Sequence, residues 1–120
     1  MSKALGVWQS FAGSLQEGSQ TWQDLLANDI EFIGPVMQTK GKDEFIKMNQ
    51  EFMQMIRGFD IHKQVASDAT VANECTLTLA TPKQTEIDIK VVELFDIQDG
   101  KIQSLRVYYD PREFVQEFAM

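Results

Sequence analysis

The sequence predicts an α+β domain: helices first, then a meander of strands forming a curved antiparallel sheet around them, with an apolar pocket between. Three observations carry this. Apolar residues recur at spacings of three and four in the first half of the chain. Beyond Gly58 they alternate instead, and turn-forming pairs punctuate the second half.

Leu5, Trp8, Phe11, Ala12 and Leu15 form one face of an amphipathic helix, which Gly18 stops. Ser19 reads as the cap of a short second helix carrying Trp22, Leu25 and Leu26 inward. Asn28-Asp29 ends that helix and opens a short strand, Ile30 to Ile33, closed by Gly34-Pro35. Gly41 to Asp43 leads into a third helix with the inner stripe Phe45, Met48, Asn49, Phe52, Met53 and Ile56, ended by Gly58. Strands are then expected over Phe59–Ala66, Val71–Ala80, Glu86–Ile97 and Ile102–Tyr109, with turns at Ser67-Asp68, Thr81-Pro82 and Asp99-Gly100. In the last segment Asp110 reads as a helix cap, Pro111 as the first helical position and Glu113 as the partner completing a capping box. Phe114 and Phe118 would fasten that helix to the body. No repeat, low-complexity tract or linker interrupts the chain, so residues 1–120 are read as a single domain.

A chain of 120 residues, 43% apolar and 10% aromatic, can bury a core without metal or disulfide staples. Its net charge of −7 argues against a nucleic-acid binder, which needs a basic footprint, and gives no attraction to an anionic membrane. One cysteine, Cys75, leaves no internal disulfide. With no signal-peptide pattern at the N-terminus, a cytoplasmic location is the expectation. No cofactor is expected, and a sole histidine, His62, rules out a His-rich zinc site.

The strand Glu86–Ile97 is the most informative stretch. Its odd positions Ile87, Ile89, Val91, Glu93, Phe95 and Ile97 form the core face, and Glu93 is the only ionisable member. A carboxylate on an apolar face needs an explanation. If Asp99-Gly100 is a two-residue loop, Glu93 lies opposite Arg106 and is salt-bridged. If Gln98-Asp99-Gly100 form a three-residue loop, Glu93 faces Leu105, Val91 faces Val107 and Ile89 faces Tyr109. The second phase gives one continuous apolar wall and is preferred, at the cost of turning Ile102 away.

The order of elements, with Gly-Lys-Asp-Glu-Phe-Ile after the first strand and Asp-Gly-Lys-Ile followed by Tyr-Tyr-Asp near the end, resembles the SnoaL-like polyketide cyclases. It is similar to the wider nuclear transport factor 2-like superfamily. The resemblance covers nearly the whole chain and specifies a fold better than an activity. It implies a cone-shaped, cystatin-like roll: a strongly curved, antiparallel or mixed sheet wrapped around three helices, with a pocket inside and dimerisation through the sheet. In the related ketosteroid isomerases the tyrosine position falls on Phe11 and the base position on Gly34, beside Ile33. Neither takes a proton, and only the protonated acid, falling on Glu93, survives. The limonene epoxide hydrolase positions fall on Leu77, Val107 and Cys75, and none is retained. For the acidic pocket residue of the polyketide cyclases, Glu93 is the match, or Asp110 if the last strand runs further inward.

Glu93 is therefore the candidate general acid or base, its pKa raised by desolvation, and the bland reading is a carboxylate satisfied by Arg106, Asn73, Tyr109 or water. Asn73 and Asn49 are candidates to orient a ligand's polar group, or plain partners of main-chain groups. Tyr109 presents either a hydroxyl or only ring area to the pocket. Phe11, Trp22, Phe45 and Phe52 on the helices, and Cys75, Leu77, Leu105 and Val107 on the strands, are the expected apolar lining, although helical aromatics are more often core. The expected ligand is small and apolar or cyclic. A reaction on it would move a proton beside a carbonyl, as isomerases and cyclases do. The competing reading is a non-catalytic homodimer joined through the even face of the sheet, where Val92, Leu94, Arg106 and Tyr108 make a mixed surface.

Overall fold

A computed structural model of the chain describes residues 3–118, so the ends of the expected 1–120 domain lie outside the described residues. Helix α1 (Lys3–Glu17) buries Phe11 and ends at Gly18, whose φ of +74° suits a residue without a Cβ. A short 3₁₀ helix, Thr21–Leu25, follows. The N-cap position falls on Gln20, not on Ser19 as expected, and carries no side-chain cap bond. Ser19 Oγ, one residue earlier, accepts from the Thr21 N–H at 3.1 Å, and the Trp22 N–H donates to buried Ser14 Oγ at 2.8 Å.

Leu26 is not helical, contrary to expectation: strand β1 runs Leu26–Ile33 and so begins before Asn28-Asp29. The two polar residues are exposed within it. An irregular register between Leu26↔Ile102 and Glu31↔Ser104 absorbs them. Strand β2 (Gln38–Lys40) was hidden by its polar composition and pairs with β1. Helix α2 (Lys42–Met53) follows Gly41. Ile56 and Gly58, expected at its end, belong instead to β3 (Ile56–Ala66). Gly58 serves close strand approach, because a Cβ there would lie 3.3 Å from Thr78 Oγ1.

Strands β4 (Thr70–Ala80), β5 (Glu86–Gln98) and β6 (Lys101–Tyr108) match the alternation read from the sequence. The six strands form one open sheet in the order β2-β1-β6-β5-β4-β3. It is mixed, since β1 and β6 are parallel and the other pairs antiparallel.

The β5–β6 hairpin corrects both expected registers. Asp99 and Gly100 have φ of 55° and 74°, the left-handed pair of a two-residue turn, and Gln98 pairs with Lys101. The register then shifts: Ile97 faces Ile102, but Asp96 faces Ser104, leaving Gln103 as an extra residue on β6. This bulge reverses the side-chain phase once. Ile102 points inward before it, and Leu105 and Val107 point inward after it. Glu93 faces Val107, not Leu105 or Arg106, and Phe95 faces Leu105. Neither regular hairpin would keep Ile102, Leu105 and Val107 on one face.

The core has two parts. The first joins Phe11, Trp22, Ile30, Phe45, Phe95 and Ile102 with their neighbours, under α1 and α2. The second joins Cys75, Leu77, Leu79, Ile87, Ile89 and Val91 on the inner face of β4 and β5. Helix α3 (Arg112–Phe118) lies against this second part, with Phe114 stacked on Phe118 at 4.5 Å and edge-on to Tyr109 at 6.0 Å. As expected, Asp110 caps α3, its Oδ1 accepting from the Arg112 N–H at 3.0 Å. Among the described residues no helix is long and apolar enough to cross a membrane.

Candidate functional site

Glu93 stands on the seam between the two parts of the core. Along β5 its same-face neighbours are Val91, of the second part, and Phe95, of the first. Across the sheet it pairs with Asn73 on β4 and with Val107 on β6, and Val107 packs against both parts. The residue is half-buried: solvent reaches some of its surface, while protein atoms crowd the carboxylate. Its recorded hydrogen bond comes from Asn73 Nδ2, at 3.3 Å to Oε1. Burial pushes its pKa up to about 7, and the Asn73 hydrogen bond opposes that rise. Among the described residues no lysine, arginine or histidine forms an ion pair with it. Arg106, the alternative partner, lies on the opposite face, where its Nη2 donates to Asp96 Oδ2 at 2.9 Å.

Asn73 is fully buried. Its Oδ1 accepts from Gln64 Nε2 on β3 at 2.8 Å, while its Nδ2 donates to Glu93. The three residues are successive cross-strand partners, Gln64↔Asn73↔Glu93. Sequence reasoning missed Gln64, yet the signal was present: closing the Ser67-Asp68 turn by pairing Ala66 with Val71 sets Gln64 opposite Asn73.

The remaining predicted residues divide by depth. Phe11, Trp22 and Phe45 are at most 5% exposed and belong to the first part of the core. Phe11 meets Trp22 and Phe95 edge-on, at 6.2 and 5.8 Å. Cys75 and Leu77 are buried in the second part. The Cys75 thiol donates to the Val91 carbonyl at 3.6 Å. Burial, and then the nearby Glu93 charge, push its pKa up to about 12, which keeps it an inert thiol. Leu105 is buried opposite Phe95. Phe52, Val107 and Tyr109 are half-buried around the second part, and burial raises the Tyr109 pKa. Asn49 is half-buried on α2, its Nδ2 donating to Met53 Sδ at 3.5 Å.

Asp110, the alternative acid, leaves the site. Asp110 lies exposed beyond the end of β6, and its hydrogen bonds from Arg112 hold its pKa down to about 2. His62 is exposed and bonded to Thr76 Oγ1 at 2.7 Å. Two surface clefts lie elsewhere and neither includes Glu93. One, of about 460 Å³, is lined by Asp88, Lys90, Asp110, Arg112, Glu113 and their neighbours. The other, of about 390 Å³, lies around Lys40–Glu44.

The SnoaL-like domain matches residues 9–105, most of the chain. The chain belongs to the SnoaL-like domain family. No curated protein matches it. An NTF2-like protein of unknown function from Burkholderia pseudomallei superposes over the full length of both chains, with a TM-score of 0.83 at 14% identity. One from Cytophaga hutchinsonii gives 0.78 at 19% identity, covering 95% of this chain and 96% of its own. A candidate SnoaL-like polyketide cyclase from Mesorhizobium loti gives 0.72 at 17% identity, covering 89% and 99%. At these identities the likeness is one of fold. The α+β, NTF2-like architecture expected from the sequence is the one observed, while this SnoaL-like chain departs from expectation in its strand starts and its hairpin register.

Proposed function

We propose that this SnoaL-like domain binds a small, largely apolar carbonyl compound against the Asn73–Glu93 pair. Glu93 acts there as a general base, taking a proton from the carbon beside the carbonyl and returning it elsewhere on the ligand. One observation carries the reading: a carboxylate on the inner face that, among the described residues, is held by a single amide and paired with no cation. Burial there lifts its pKa to about 7. A base whose pKa lies near the working pH combines an ionised form with useful proton affinity. The polyketide cyclase-like neighbour supports this class of chemistry without assigning it. The test is turnover by wild type and Glu93→Gln on a panel of cyclic ketones and β-keto compounds. Wild-type kcat/KM is expected to rise with pH through about 7, the ionisation of the base. Glu93→Gln is expected to lose about a hundred- to ten-thousand-fold. Turnover unchanged in the variant removes Glu93 from the mechanism.

A second reading rests on the opposite face of the sheet. Val92 and Tyr108 are cross-strand partners there, 39% and 53% exposed, and Ile33 and Val65 extend the apolar surface along β1 and β3. Such a face suits a second copy of the chain, with the fold serving assembly. Light scattering at micromolar concentration is expected to give twice the monomer mass, and Tyr108→Glu to halve it. A monomeric wild type ends this reading.

A further inference from the structure

We infer that Gln64, on the edge strand β3, is a positioning residue that steadies the Asn73 amide with its donating end toward Glu93. The geometry is a three-strand relay at successive cross-strand positions. Gln64 Nε2 donates to Asn73 Oδ1 at 2.8 Å, and Asn73 Nδ2 donates to Glu93 Oε1 at 3.3 Å. An amide has one accepting and one donating end. With its acceptor taken by Gln64, Asn73 has only its donor to offer Glu93, and a donor favours the ionised carboxylate. If the amide were turned round, Oδ1 would face Glu93, and only the protonated acid could bond to it.

Gln64 itself is exposed while Asn73 is fully buried, so an inner group is braced from the sheet edge. A bulge in β3 between Ile61 and Lys63 makes this alignment. It turns His62 toward Thr76 on the outer face and brings Gln64 onto the inner face beside Asn73.

Among the described residues, the titratable groups sharing the inner face with Glu93 are Cys75 on β4 and Tyr109 after β6, and burial favours the neutral form of each. On β3 the charged side chains Asp60 and Lys63 pair with the outer-face positions Thr76 and Glu74. On α2, Lys47 and Glu51 are exposed, and α3 turns Phe114 and Phe118 toward the sheet. The orientation of one amide is therefore the main adjustable influence on this carboxylate. The role of Gln64 in catalysis rests on the proposed function of Glu93, whereas its control of Asn73 does not.

The test is the NMR titration of the Glu93 side-chain carboxyl, assigned with Glu93→Gln, in wild type, Gln64→Met and Gln64→Glu. Gln64→Met removes the donor without adding charge at an exposed position, so the fold is retained. Asn73 then spends part of its time turned round, and the Glu93 midpoint is expected to rise by a few tenths to about one pH unit. Gln64→Glu replaces the donor with an acceptor, turns Asn73 fully, and should raise the midpoint further. An unmoved midpoint in Gln64→Met overturns the relay whatever Gln64→Glu does, because a new charge at residue 64 also acts through space. The two proposals fail separately. A moved midpoint together with unchanged turnover in Glu93→Gln retires the catalytic reading and leaves the relay standing.

Discussion

Phe95→Ala is expected to cost about 3–5 kcal/mol of folding stability, read as a lower urea midpoint. Phe95 is 2% exposed and sits where the sheet meets the first helix. It is flanked across the strands by Val71 and Leu105, and its ring meets Phe11 of α1 edge-on at 5.8 Å. Phe11 in turn meets Trp22, so the chain of rings ties the 3₁₀ helix, α1 and β5 together. Truncation would remove the transfer free energy of the ring and leave a cavity that the rigid sheet cannot close. A domain of this size is stable by only about 5–15 kcal/mol, so the loss is a large share of the total. Phe59→Ala is the control: that ring is 45% exposed on the edge strand β3 and should lose about 1 kcal/mol or less. Equal losses in the two variants would mean that the contact between helix and sheet is not where the stability resides.

How much of this was legible in the sequence follows from how local each signal is. Alternation from Val71 to Ala80 and from Glu86 to Ile97 is a property of single strands, and both appear with the expected inner faces. The cap at Asp110 and the stop at Gly18 are equally local. The hairpin register was not, because two ideal turns each satisfied part of the pattern. The bulge at Gln103 satisfied all of it, and a bulge carries no composition of its own. Leu26 shows the same limit: apolar residues at helical spacing also suit a strand, and pairing with Ile102 decided the matter. At the site, Glu93 was visible as an acid in an apolar series. Its environment was not, since Asn73 and Gln64 reach it only through two strand pairings.

Glu93→Gln is expected to stabilise the fold by about 2–3 kcal/mol at pH 8, with the gain fading as the pH falls toward 4.5. In the unfolded chain the carboxyl loses its proton near 4.5, and in the folded domain near 7. Between those values the folded state holds more protons than the unfolded one, so wild-type stability falls as the pH rises. The loss is complete above about 7, where ionising Glu93 opposes burial and, among the described residues, Asn73 alone compensates. A glutamine carries no charge, so it avoids this penalty, and its carbonyl can still accept from Asn73 Nδ2. The gain is set below the roughly 3–4 kcal/mol that the whole shift would carry, because solvent reaches part of the residue. Urea unfolding of both proteins from pH 4 to 8 reads the gap directly. A side chain that weakens the fold at neutral pH, where an amide of the same shape would not, fits a site that uses proton exchange rather than packing. A gap that stays constant with pH would mean that Glu93 is solvated as well in the domain as in the open chain, and the acid–base reading would lose its physical basis.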